Sequence, residues 1–79
     1  MKKSEFVKQL AKYCEFEGRD YNLNTRFNSI EGYDSMAVMS IIAFADENFN
    51  LRFTAQQLIK LTDFKSLIDL IGEDKFEHD

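Results

Sequence analysis

Apolar residues recur at helical spacing in separate stretches of this 79-residue chain, and the segments between them show no period. Phe6, Val7, Leu10, Ala11 and Cys14 fall three or four positions apart, which predicts a helix over about 4–16 with Ser4 as its cap and Gly18 as its stop. A second pattern predicts a helix over about 35–48 with two apolar faces. Val38, Ile41, Ile42, Ala45 and Phe49 form the face assigned to the core, while Met36, Met39 and Ala43 form another at i, i+3, i+7. A helix that is apolar nearly all round, in a chain this small, offers part of its surface to a partner. Thr54-Ala55-Gln56-Gln57 has the form of a capping box and opens a short helix over about 54–61 with Leu58, Ile59 and Leu61. Thr62 or Asp63 then caps a last helix over about 63–71, in which Phe64, Leu67, Ile68 and Ile71 face inward before Gly72 ends it.

Residues 19–33 are rich in Asn, Asp and Ser and carry no sustained period, so they read as one long ordered loop with Phe27 and Ile30 as its anchors. The pattern predicts an all-α fold: a small four-helix bundle with a long first connection and a short third helix, occupying residues 1–72. The acidic segment 73–79 reads as a frayed, solvated tail. Seventy-nine residues allow one domain, near the lower end of what folds unaided. Eight Phe and three Tyr offset the small size, each contributing about 1.5–3 kcal/mol when fully buried.

Charge narrows the partners. The formal net charge is −4, and its distribution matters more than its sum. Lys2, Lys3, Lys8 and Lys12 make the first segment basic, and the later segments are acidic. No basic stripe exists for a nucleic-acid backbone to follow. One cysteine excludes an internal disulfide, which points to a reducing, cytoplasmic setting. No apolar run approaches the roughly 18 residues that a membrane span requires.

Gly32-Tyr33-Asp34-Ser35-Met36 sets a serine hydroxyl at the start of the second helix. No basic residue lies between Arg26 and Arg52, and the single histidine is His78. A serine at its ordinary pKa needs an adjacent base to attack, so Ser35 is not expected to act as a nucleophile, and the chain is read as a non-catalytic one. The first turn of a helix favours an anion, through its free N–H groups and through a dipole term of about 0.3–1 kcal/mol. Ser35 therefore reads as a residue that is modified, with Asp34 as its N-cap.

These residues resemble the acyl and peptidyl carrier protein family over about residues 24–72. Asp34-Ser35-Met36 resembles the family's Asp-Ser-Leu or Asp-Ser-Met signature, and Phe27 the loop phenylalanine before it. Glu47-Asn48-Phe49-Asn50-Leu51 is similar to the ending of the family's second helix. Leu61-Thr62-Asp63-Phe64 with Leu67-Ile68 is similar to the junction into its fourth. The resemblance implies a carrier fold and a 4′-phosphopantetheine arm moved from coenzyme A onto Ser35 by a phosphopantetheinyl transferase. It also implies an acyl, aminoacyl or ketide cargo held as a thioester. Asp34 is expected to present the serine. Met36, Met39 and Leu61 are expected to form the surface that meets partners. Those partners are the transferase, an acyl- or aminoacyl-loading ligase and a downstream synthase or transferase, with the carrier itself a monomer.

Ala37 and Ser40 stand where carriers of primary fatty acid synthesis show acids, and acids appear only at Asp46 and Glu47. Docking is therefore expected to be more apolar and less sensitive to salt than in that group. Gly32-Tyr33-Asp34-Ser35-Met36-Ala37, lengthened by Glu31, is closer to carriers of polyketide, peptide or surface-polysaccharide pathways.

Two other readings stand beside this one. Residues 20–31 partly match an EF-hand calcium loop, with Asp20, Asn22, Asn24, Asn28 and Glu31 at ligand positions, but Thr25 replaces the turn glycine. The apolar second helix also suits a helical interaction module that carries no prosthetic group. Cys14 reads as a small core residue, and His78 as part of the tail.

Overall fold

The computed structural model describes residues 1–16 and 21–77. Within them the chain forms four α-helices and no strand. They are α1 (Lys3–Tyr13), α2 (Ser35–Phe49), α3 (Ala55–Leu58) and α4 (Phe64–Ile71), with single 3-10 turns at Phe27–Ser29 and Glu73–Lys75.

The start of α1 departs from the expected Ser4 cap. Lys2 is the N-cap, its N–H donating 3.1 Å to the Glu5 carboxylate, and Phe6 N–H already bonds Lys2 O at 2.9 Å. This is one half of a capping box, because lysine has no side-chain oxygen to return the bond. The helix also ends at Tyr13 rather than near residue 16. Glu15 adopts a left-handed φ of 59°, its N–H donates to Lys12 O at 3.1 Å, and Phe16 N–H donates to Ala11 O at 3.0 Å. That pair of bonds is a Schellman motif, closed by the apolar contact expected between the third-last helical residue and the residue after the turn: Ala11 and Phe16 are both buried. Gly18, the expected stop, lies outside the described residues.

Helix α2 runs one residue further than expected and ends where Asn50 takes φ 57° and donates to Asp46 O at 3.0 Å. Asparagine tolerates this conformation better than most residues. Ala37, Val38, Ile41, Phe44 and Ala45 are the buried residues of α2, so the core stripe is centred one position away from that expected. Ile42 and Phe49 are only partly buried, and Ala37 and Phe44 replace them. Helix α3 keeps its capping box between Thr54 and Gln57 but closes at Leu58, well short of residue 61. Helix α4 is capped by Asp63, whose Oδ1 accepts from Ser66 N–H at 2.8 Å while Ser66 Oγ accepts from Asp63 N–H at 3.1 Å. Gly72, at φ 114°, ends it as expected.

Phe6, Leu10, Phe27, Ile41, Leu58, Phe64, Leu67 and Ile68 fill the centre, each almost wholly shielded. No buried polar or charged residue occurs among the described ones. The loop between α1 and α2 is held to the body as the pattern implied. Phe27 and Ile30 are buried, Phe27 N–H donates to Thr62 O at 2.8 Å, and Lys65 N–H donates to Leu23 O at 3.0 Å. No helix is long and apolar enough to cross a membrane among the described residues.

Residues 73–77 are not the solvated tail that their charge suggested. Phe76 turns back onto Phe6 and Phe49, with ring centroids 5.3 Å away in each case. Lys3 Nζ pairs with Glu73 at 2.7 Å, and Glu77 N–H donates to Met1 O at 3.1 Å. The Lys3 ammonium and its hydrogen bond hold the Glu73 carboxyl below its usual range. Residues 78 and 79 lie outside the described ones. Three mutually packed rings make Phe76 the part of this strap that stabilises, while the exposed ion pairs contribute little. Phe76→Ala is expected to lower stability by about 1–3 kcal/mol in urea unfolding, given a half-buried ring with two aromatic neighbours. A loss under about 0.5 kcal/mol would mean that the strap is not part of the cooperative fold.

Candidate functional site at the start of the second helix

The approach to Ser35 is built from the core outwards. Phe64 meets Phe27 edge to face at 5.1 Å, and Phe27 lies flat against Tyr33, 5.1 Å away with 9° between the rings. Such pairs contribute about 0.5–1.5 kcal/mol each beyond burial. They form a pillar of three rings from the centre of the core to a half-buried Tyr33, two residues before Ser35. Burial pushes the Tyr33 hydroxyl pKa above its ordinary value. Between pillar and site the chain turns sharply. Tyr33 N–H donates to Ile30 O at 3.2 Å, with Gly32 at φ 86° in the third position of the turn. A type II turn requires that conformation, which glycine adopts without cost. Nothing lies within 4 Å of where a Cβ would stand on Gly32, so the backbone conformation alone selects glycine. Glu31 is the second residue of this turn, which accounts for the lengthened segment before Asp34.

Asp34 is the N-cap of α2. Its Oδ1 accepts from the N–H groups of Met36 at 3.0 Å and Ala37 at 3.1 Å, and its carbonyl accepts from Val38 N–H at 3.1 Å. An anion at this helix start therefore meets fewer free donors than the sequence suggested. Two of the first-turn donors already serve the Asp34 carboxylate, which leaves the Ser35 N–H and the helix dipole for a phosphate on the hydroxyl. Asp34 Oδ2 makes no hydrogen bond among the described residues, and neither does Ser35 Oγ. Ser35 is exposed as the first residue of the helix, and no side chain within hydrogen-bond reach among the described residues activates it.

Around it, Met36 is 74% exposed, Met39 68% and Ile59 70%. Leu61 is partly buried, so the more exposed apolar residue of that wall is Ile59, which the sequence pattern had assigned to no face. In a helix of four residues, neighbours point about 100° apart, so a fully buried Leu58 turns Ile59 outward. Ala37, in a position where an acid would favour charged docking, is buried and capped, so only partly exposed Ser40 is open to such a role. A cleft of about 220 Å³ opens beside Tyr33, lined also by Arg26, Phe27, Asn28, Ile59, Leu61 and Thr62.

The calcium-loop positions are arranged differently from a binding loop. Asn22 Oδ1 accepts from Asn24 N–H at 2.8 Å, and Asn22 N–H donates to Thr25 Oγ1 at 2.9 Å, so this stretch is a self-bonded turn. Asp20 lies outside the described residues. Among the described residues no three His, Cys, Asp or Glu side chains group to hold a metal ion.

No protein-family model, curated protein or solved structure matches this chain.

Proposed function

We propose that this chain is a carrier protein of the acyl and peptidyl type, a non-catalytic four-helix bundle that bears 4′-phosphopantetheine on Ser35. The observation that carries the reading is an exposed, unactivated serine hydroxyl at the first position of a capped helix, on a rigid aromatic pillar and beside exposed Met36 and Met39. A transferase that brings its own metal and base needs only such a hydroxyl. The residues fit the group: Ser35 Oγ makes no hydrogen bond among the described residues, its first-turn N–H would be available to a phosphodiester on that oxygen, and the dipole of α2 would favour the charge. When bound, the arm supplies a thiol that holds the cargo as a thioester.

Asp34 has two tasks in this reading. Its Oδ1 fixes the first turn and so the direction of Ser35, while Oδ2, which makes no hydrogen bond among the described residues, is left to meet the cation or donors of the transferase. Met36, Met39 and Ile59 offer an apolar surface to partners, with Leu61 contributing from a half-buried position. Methionine side chains adapt to several partner shapes. The partners are the transferase, a loading ligase and a downstream synthase or transferase of a specialised pathway in the cytoplasm, met by a monomeric carrier.

Incubation with coenzyme A, magnesium and a broad-specificity phosphopantetheinyl transferase, followed by intact-protein mass, tests this. The expected result is a gain of one phosphopantetheine group in the native chain and none in Ser35→Ala. No gain with several transferases would leave the exposed apolar residues of α2 and α3 as evidence for a helical interaction module instead.

A further inference from the structure

The cleft beside Tyr33 has an occupant that its chemistry describes. We infer that it receives the free end of the cargo, and that this cargo is a short acyl group terminating in a carboxylate; the inference rests on the carrier reading of Ser35. Tyr33 lines the cleft, and its Cα stands at most about 7 Å from that of Ser35, so an arm folded back from the serine reaches it with length to spare.

Size limits what enters. At about 220 Å³ the cleft lies below the roughly 300–1,000 Å³ of pockets that take drug-sized ligands, and holds the equivalent of about seven waters. The interior behind it is closed by Phe27, Phe64 and Leu58, each almost fully shielded, and the two rings meet edge to face at 5.1 Å. A long alkyl chain would have to displace these rings. A group of a few carbons need not.

Charge selects the end group. Arg26, Asn28 and Thr62 give one part of the cleft a polar character, against Tyr33, Ile59 and Leu61. The Arg26 backbone is fixed by pairing with Asp63, by the Phe27–Thr62 hydrogen bond next to it and by a bond of 2.7 Å from Ser29 Oγ to its carbonyl. Its guanidinium is exposed and forms no ion pair among the described residues. Asp63, whose backbone pairs with that of Arg26, has its carboxylate engaged in capping α4. A planar guanidinium with five donors binds a carboxylate in bidentate fashion and repels an ammonium. The cleft therefore favours a carboxylated acyl group over an alkyl one and over an aminoacyl one.

Chemoenzymatic loading with stable amide-linked arm analogues ending in succinyl, butyryl or β-alanyl groups tests this by backbone amide NMR shifts relative to the arm alone. The expected result is that the succinyl group shifts the amides of Arg26, Asn28, Ile59 and Thr62 about 2- to 5-fold more than either alternative, as an exposed charge-assisted contact allows. Arg26→Gln should remove that preference and Arg26→Lys should keep part of it, with thermal midpoints unchanged because the side chain is exposed. Equal shifts from all three groups, or no shift in the cleft from any, would overturn the inference while leaving the carrier reading intact. So would butyryl shifts at buried Ile41, Leu58 and Leu67, which would show the interior opening instead. A chain that accepts no arm overturns both.

Discussion

Phe27→Ala is expected to destabilise the fold by about 3–5 kcal/mol, the usual cost of emptying a buried phenylalanine site. For 79 residues the total stability is on the order of 4–12 kcal/mol, so the loss takes a large share of it. The position explains why the cost falls at the upper end. The ring is almost fully shielded, stacks flat on Tyr33 and meets Phe64 edge to face, and no neighbouring side chain can fill the space without abandoning one of those contacts. The same change removes the middle of the pillar beneath Ser35. Loading of the serine should therefore slow even in the fraction that stays folded. Urea unfolding monitored by far-ultraviolet circular dichroism gives the stability, and the rate of mass gain gives the second effect. A loss below about 1 kcal/mol would mean that the loop is not anchored by this ring.

The second large effect concerns Cys14. Burial pushes its thiol from an ordinary 9.0 up to about 12. The thiolate is the reactive form, and a rise of that size lowers its fraction near pH 8 by about a thousandfold. Native apo protein should thus be almost silent towards a thiol reagent, whereas unfolded protein should react at the rate of a free cysteine. The sign for stability has the same origin. The neutral thiol is favoured in the folded state, so its contribution is complete below pH 9 and is lost as the pH rises towards 12. Because Cys14 is the single cysteine, this silence has a use. Attachment of the arm should add one fast-reacting thiol to a slowly reacting background, an independent count of loading beside the mass. Cys14, expected in the core, is only partly buried against it, and rapid labelling of native apo protein at pH 8 would contradict the desolvation that this position causes.

What could be read from the sequence was local. Asp34 and Asp63 as caps and the Thr54–Gln57 capping box all depend on residues within a few positions of one another. Phe27 and Ile30 stood out as lone apolar residues in a polar loop, and both are buried. The readings that needed correction depend on longer range or on an unusual residue. Glu15 ends α1 in a conformation normally left to glycine or asparagine, so no residue type announced it. Phe76 sits in an acidic stretch, and only the apolar end of the core, formed by Phe6 and Phe49, draws it inward. Ile59 was given no face by the sequence, and the shortness of α3 turns it outward. At the candidate site, the position of Ser35 was legible. The occupation of two first-turn donors by Asp34, and the cleft made by residues far apart in sequence, were not.

The strap that ties Glu77 to Met1 gives the molecule a polarity. Helix α2 is about 21 Å long from Ser35 to Phe49, and Phe76 packs on its far end. Residues 1 and 77 therefore lie side by side at the pole opposite the serine. A linker, tag or neighbouring domain joined at either residue would leave along that pole. The face that offers Ser35, Met36, Met39 and the cleft would stay clear, so the unit can be tethered without being blocked.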